Sequence, residues 1–581
     1  MAMLLDMVHH NPGEPPVDTR FLDPRRLGEL GYTGQVFKHV NCAVRLDTLG
    51  RRDFEPGTPA GEWMQATRRE IAGQIEAAKA AGLQVFYHVD LFVLPTALVA
   101  DEREKICNGA GKISLDSGRT LEIHRALFDE MFRDFPQIDG LIVRVGETYL
   151  FDSPHHCGNS GVPVHDEGVD PAWSQRQYAK LIRFLREEIC VRHGKILIPR
   201  TWDIYNNRFH ANPEFYLAVT EAVPPHPNLL FSIKHTALDF FRRVKVNPCI
   251  GLGGHQQIIE VQCQREYEGK GAFPSYIGHL LAEGAPENKK PVGLGTLLQM
   301  PNSRGVFTWS RGGGWFGPYL KNEFWPRLNV HVISALAREP GKSEAAIFAD
   351  FCRHEIGMSG ASAAAFRRAC LLSAQAVLLG RYCAAYDEQW EEATIPTELW
   401  MRDDRLGGMD QLEPVFRYLD EQGKTAGALY EKWESVRLWK QALCEFQAVE
   451  IPDPGLREAL DTSFRYGAAL FEIIAIGWDI LSIDFAASHG RTADTVRLRE
   501  LHEKYQAAWE TYRALQLTGS DCASLFRGDF WSWPGKPALP GLDASVSNAM
   551  RHLNGSRPNV ENAACAPMKK TWMGVGVDGA R

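Results

Sequence analysis

No run of 18 apolar residues occurs anywhere in the 581-residue chain, so no membrane-spanning helix is expected. Long basic runs are missing too, and the net charge is −8, which argues against a nucleic-acid partner. The 12 cysteines are scattered and none forms a C-x-x-C pair, which suits reduced, buried thiols better than a disulfide framework. The opening MAMLLDMVHHNPGEPP has a short apolar patch, but Asp6 interrupts it and no basic segment precedes it. It makes a poor signal peptide, so a cytoplasmic location is expected. No G-x-S-x-G elbow is present and no cysteine has a nucleophile's surroundings. GLGG at 251–254 precedes a strand rather than following one, and RGGGW at 311–315 has no Lys-Ser/Thr after it, so neither is a nucleotide loop. His155, His156 and Cys157 are adjacent but have no partner at helical spacing. Neither cofactor nor metal is expected.

What the chain does have is length and alternation. At 581 residues it exceeds one ordinary core, and 44% apolar with 23% charged residues is a globular balance. Short apolar strands read at Gln35–Val40, Gln84–Asp90, Gly140–Val145, Lys195–Arg200, Leu229–Lys234, Ile258–Cys263 and Gly305–Trp309, with a weaker one near Ala272–Ile277. Amphipathic helices fall between them, at Glu62–Ala81 and Arg119–Phe135 among others. Asp170-Pro171 and Asn212-Pro213 each read as an N-cap with Pro at the first helical position. Repeated strand–helix units imply a parallel sheet, and seven or eight of them over about 300 residues imply an α/β fold, a (β/α)8 TIM barrel. A doubly wound open sheet is the alternative. After about residue 340 the strand signals stop and helical patterns continue to about 516. The expected division is a barrel over 1–340, an all-α C-terminal domain over 341–530 and an irregular Pro/Gly-rich tail over 531–581.

Functional groups of such a barrel sit at the C-terminal ends of its strands. There the sequence gathers carboxylates (Glu147, Asp239, Glu266) and cations (Arg144, Arg200, Lys234). Paired carboxylates are what glycoside hydrolysis needs: one protonates the leaving oxygen, the other activates water or attacks the anomeric carbon. Clustered Arg and Lys suit an anionic substrate; the bland alternative is that these charges pair with one another at the rim. Trp202, Trp309 and Trp315 lie beside strand ends, where they could stack on sugars or simply pack. In IIEVQCQREYEG (258–269), Glu260, Gln262 and Gln264 share one face of a strand, either a wet edge or the inside of a barrel.

Two of these runs carry a family resemblance. KHTALDFF at 234–241 followed by IIEVQCQREYEG resembles the K-N-G-P-[IM]-D-F and M-E-[VF]-Q-I-T-Q-E-Y blocks of the α-glucuronidases of glycoside hydrolase family 67. The Asp239–Glu266 spacing agrees with that family to within a residue. WFGPYLKNEFWPRLNVHVISALAREP (315–340), HEIG (354–357) and VFKHVNCAV (36–44) are similar to further stretches of it, so the likeness spans roughly residues 20–360. It implies an inverting exo-hydrolase that releases a terminal α-linked glucuronic acid, or a related uronic acid, from an oligosaccharide; the alternatives are a glycosidase of the same scaffold acting on a different sugar and a non-catalytic carbohydrate-binding protein. Glu147 would be the acid, with Asp239 and Glu266 deprotonating the attacking water. Lys234 and Arg200 would meet the uronic carboxylate, with Arg144 in place of a family lysine; Asn41, in the turn after the first strand, and the strand-end Trp202 and Trp315 complete the expected sugar site. A homodimer through the helical domain is also implied. The chain departs from the family in its R-V-G-E-T stretch, where the family has K-A-N-S-E-G, and in showing no strand signal of the family's N-terminal α/β domain.

Overall fold

The computed structural model describes residues 2–9, 19–145, 153–158, 162, 169–203, 208–265, 267–314, 316–389, 396–519, 521–532 and 537–553. Eight parallel strands form its centre: β1 (Met3–Val8), β2 (Gly34–Lys38), β3 (Gln84–Asp90), β4 (Gly140–Arg144), β5 (Ile196–Pro199), β6 (Leu230–Lys234), β7 (Gln256–Gln262) and β8 (Ser303–Arg311). Each pairs with its neighbour in chain order, and β8 pairs back onto β1. Parallel bridges Leu197–Leu229 and Arg200–Ser232 join β5 to β6 and complete the cylinder. The fold is a (β/α)8 barrel followed by helices.

The surrounding helices begin where the sequence marks them. Asp170 accepts from the amides of Ala172 and Trp173, and Asn212 accepts from Phe215. Each satisfies donors that the first helical turn leaves open, and Pro at the next position loses no bond there. Thr58-Pro59 and Asp453-Pro454 open the helices Pro59–Ala80 and Pro454–Ser488 in the same way.

Three expectations need correction. The eighth strand is not near Ala272–Ile277 but is β1, at the start of the chain. MLLDMV reads as a broken apolar patch only while Asp6 lacks partners. In the fold its Oδ1 accepts from Thr308 Oγ1 (2.6 Å) and Ser310 N (3.1 Å), and its Oδ2 from Ser310 Oγ (2.7 Å). Residues 272–277 stay irregular because Asn329 serves their backbone. Its Nδ2 donates to the carbonyls of Cys263 and Ser275, and its Oδ1 accepts from Ile277 N. The tail is not wholly irregular: Leu542–Leu553 is a helix that buries Leu542, Val546 and Ala549 on one face.

Past the barrel, long helices at Gly360–Arg381, Thr425–Gln447, Pro454–Ser488 and Thr495–Thr518 pack around Trp439, Trp478, Phe464 and Phe471. Gly360–Arg381 is apolar and long enough to cross a membrane, but its most apolar window is 61% buried within this core. A short antiparallel turn, Met401–Arg402 with Arg405–Leu406, projects from the helical region to the barrel mouth.

Candidate active site

Side chains two apart on a strand share a face, and the inner face changes character along the barrel axis. Its lower part is a plug of Leu5, Met7, Val36, Phe86, Ile142, Ile198, Leu230, Ile258 and Phe307. Two and four residues further on, the same face carries His9, Lys38, His88, Asp90, Arg144, Arg200, Ser232, Lys234, Glu260, Gln262, Trp309 and Arg311. Glu260 and Gln262 are therefore barrel lining, not a wet edge, while Ile259, Val261 and Cys263 face the helix layer.

The cations at the mouth are held by carboxylates. Arg144 grips Asp90 with two bonds, Nε–Oδ1 at 2.6 Å and Nη2–Oδ2 at 2.8 Å. Arg200 grips Glu260 likewise, at 2.8 and 2.5 Å, and Ser232 Oγ adds a bond at 3.1 Å. Lys234 Nζ donates to Asp239 Oδ1 (2.7 Å), and the hydroxyl of Tyr267 donates to Asp239 Oδ2 (3.2 Å). The Lys234 ammonium also rests 3.3 Å from the centre of the Trp202 ring, a cation–π contact. His88 lies 3.5 Å from Arg200 Nη1. Burial first, then Arg144, Arg200, Lys38 and His9, hold its pKa well below the usual imidazole value. It is a neutral ring among cations.

Six sequence-predicted residues come together at this mouth: Asn41, Arg144, Arg200, Trp202, Lys234 and Asp239. All three of these cations are spent inside the wall, Arg144 on Asp90, Arg200 on Glu260 and Lys234 on Asp239. Arg200 sits in a buried pair with Glu260, and one face of Trp202 is covered by Lys234. Asn41, in a short turn after β2, donates to the Asp90 carbonyl at 3.2 Å, while its buried Oδ1 has no hydrogen-bond partner among the described residues. The Oε1 of Gln264 is likewise buried and unpaired. Such acceptors invite a donor from a ligand or water. Glu147, Glu266 and Trp315 lie outside the described residues. Sequence inspection missed Lys38, His88 and Asp90, although V-F-Y-H-V-D carries the parity that puts Phe86, His88 and Asp90 on one face. His156, from the tempting His-His-Cys run, packs between Phe54 and Trp63, and burial pushes its pKa down to about 4.

No family model and no curated protein matches the chain. Among solved structures it is similar to a GH138 enzyme targeting pectin rhamnogalacturonan II, with TM-score 0.56 and 10% identity over 95% of this chain and 67% of that one. It also aligns with a mutant Thermobaculum terrenum O-GlcNAc hydrolase (TM-score 0.38, 10% identity, 95% and 94% of the two chains). A third alignment is with a Prevotella bryantii endo-β-mannanase/endo-β-glucanase (TM-score 0.35, 12% identity, 58% and 48%). Those two superpose too loosely to bear weight. The first shows that this chain shares its fold, a barrel with a helical region, with that enzyme.

Proposed function

We propose that the protein is a glycoside hydrolase that removes a terminal α-linked uronic acid, glucuronic acid in the first instance, from an oligosaccharide. The observation that carries this reading is the Lys234–Asp239–Tyr267 group: a carboxylate with both oxygens engaged, at the C-terminal mouth of a barrel, in a lining crowded with cations. Asp239 is held rigidly in place, as a group that orients a reacting water must be. Arg144, Arg200 and Lys234 are each paired with a carboxylate of the lining, so the uronate itself is taken from the family 67 resemblance, while Asn41 Oδ1 and Gln264 Oε1 are acceptors for sugar hydroxyls.

The family 67 resemblance supplies the remaining assignments. Glu147 would protonate the glycosidic oxygen as its bond to the anomeric carbon breaks. Glu266, with Asp239, would take the proton of the water that attacks that carbon from the opposite face. The water's oxygen becomes the new hydroxyl, and the anomeric configuration inverts.

Early proton NMR of the purified protein with a small α-linked glucuronosyl-xylo-oligosaccharide tests both points. Release of β-glucuronic acid first is the expected result. A fragment of rhamnogalacturonan II and neutral glycosides complete the panel. Turnover of neutral glycosides alone would overturn the uronic specificity, and turnover of nothing by folded protein would overturn the hydrolase.

A further inference from the structure

After β7, Tyr267, Glu268 and Lys270 are each tied to the helical region. Tyr382, just past the helix Gly360–Arg381, donates its hydroxyl to Glu268 Oε1 at 2.5 Å. The Tyr382 hydroxyl oxygen also accepts from Arg242 N at 3.2 Å, on the segment that bears Asp239. The guanidinium of Arg402 lies 4.7 Å from the centre of the Tyr267 ring, and Tyr267 in turn holds Asp239. Asp403 meets Lys270 Nζ at 3.3 Å, while Lys270 also donates to the Phe316 carbonyl. Asp403 reaches so far because Gly314 has no side chain: a Cβ there would collide with its carboxylate.

The backbone is forced at the same places. Arg265 (φ 40°), Lys270 (φ 50°) and Asp403 (φ 53°) all occupy the left-handed region without being glycine. Such conformations persist only where the surroundings over-determine them, and they concentrate at functional sites. Elsewhere the barrel and the helices join through Phe273, Trp325 and other apolar groups, with a few polar ties such as Arg243–Asp387 and Trp325–Ser463. Only apolar contacts are needed for adhesion, and buried ion pairs are a poor way to obtain it. A polar clamp here serves geometry.

We infer that Tyr382, Arg402 and Asp403 are positioning residues: the helical region sets the shape of the 267–270 segment and, through Tyr267, the placement of Asp239. This rests on the reading of Asp239 as part of a glycosidase site. The test uses the full-length chain with Tyr382→Phe and Asp403→Asn. On whichever glycoside the wild type hydrolyses, kcat falls about tenfold or more while KM stays within about twofold, since small misplacements of reacting groups cost rate more than binding. A packing role alone would lower the unfolding midpoint and leave kcat of the folded protein intact, and an unchanged kcat in both variants overturns the inference. If the wild type hydrolyses nothing, the functional reading fails by itself. Amide exchange over residues 264–277 then decides: faster exchange confined to that stretch supports the clamp, and unchanged exchange overturns it. If Asp403→Asn does not fold, Tyr382→Phe, which removes one oxygen, decides alone.

Discussion

At the scale of single residues, the barrel mouth is a set of charges that hold one another. Arg200 and Glu260 are both almost wholly out of water, joined by two bonds. Pairs like this add little net stability, but removing one partner strands the other, at a cost of about 3–5 kcal/mol. Arg200→Met is expected to lower stability by that amount in urea denaturation, and adding Glu260→Gln should restore part of it. A fall below 1 kcal/mol would mean that water reaches Glu260. Asp239→Asn keeps the shape and the Tyr267 bond but removes the negative charge beside Lys234. Turnover is expected to drop about 100-fold or more, read by steady-state kinetics, and near wild-type kcat would remove Asp239 from the chemistry. The sequence made the rim residues visible through their position after each strand. It did not reveal that Arg144 and Arg200 are each engaged by a carboxylate, because Asp90 and Glu260 stand 54 and 60 positions away. Pairing at such separations is a property of barrel closure, not of local pattern.

At the scale of elements, most strands and helices were legible because each carries a whole period of its own pattern between turn signals. β1 was not, because six residues with a carboxylate in the middle resemble no standard strand. Its partner β8 solves the problem with Thr308 and Ser310 on the face toward the helices. β8 also needs Gly305, whose φ of 141° and close approach to the Met3 carbonyl leave no room for a Cβ. The enclosed Asp6 gives a pH signature. Burial pushes its pKa up to about 7, against the bonds from Thr308 and Ser310 that favour the anion. In the unfolded chain it titrates near 3.8, so between about pH 4 and 7 the folded state binds the extra proton. The stabilisation of the protonated form is complete below pH 4 and is lost as pH rises through 7, roughly 4 kcal/mol in all. Asp6→Asn keeps the acceptor for Thr308 and the Ser310 amide and offers Ser310 Oγ a donor. Its stability measured from pH 5 to 8 should lack this decline and exceed wild type at pH 8. Parallel curves for the two proteins would show that Asp6 titrates normally.

At the scale of the molecule, the sequence suggested a division near residue 340, and the helix Phe324–Arg338 shows what such a cut would meet. One of its faces, with Val330, Ile333 and Ala337, belongs to the barrel core. The other, with Phe324, Trp325, Leu328, Val332 and Leu336, belongs to the helical core, where Trp325 Nε1 also donates to Ser463 Oγ at 2.7 Å. An amphipathic pattern marks one buried stripe on a helix; a helix apolar nearly all round is a shared wall. Ending the chain at 340 would return these five side chains to water, at about 1.5–3 kcal/mol each, or roughly 10 kcal/mol together. That is as much as the whole stability of a typical domain. It would also release Tyr267, Glu268 and Lys270 from Arg402, Tyr382 and Asp403. A fragment of residues 1–340 is therefore expected to be insoluble or molten, and the full chain to unfold in one calorimetric transition whose van't Hoff and calorimetric enthalpies agree. Two separated transitions, with a folded 1–340 fragment that keeps the activity of the whole, would show instead that the barrel holds its own mouth in shape and that the helical region is an attachment.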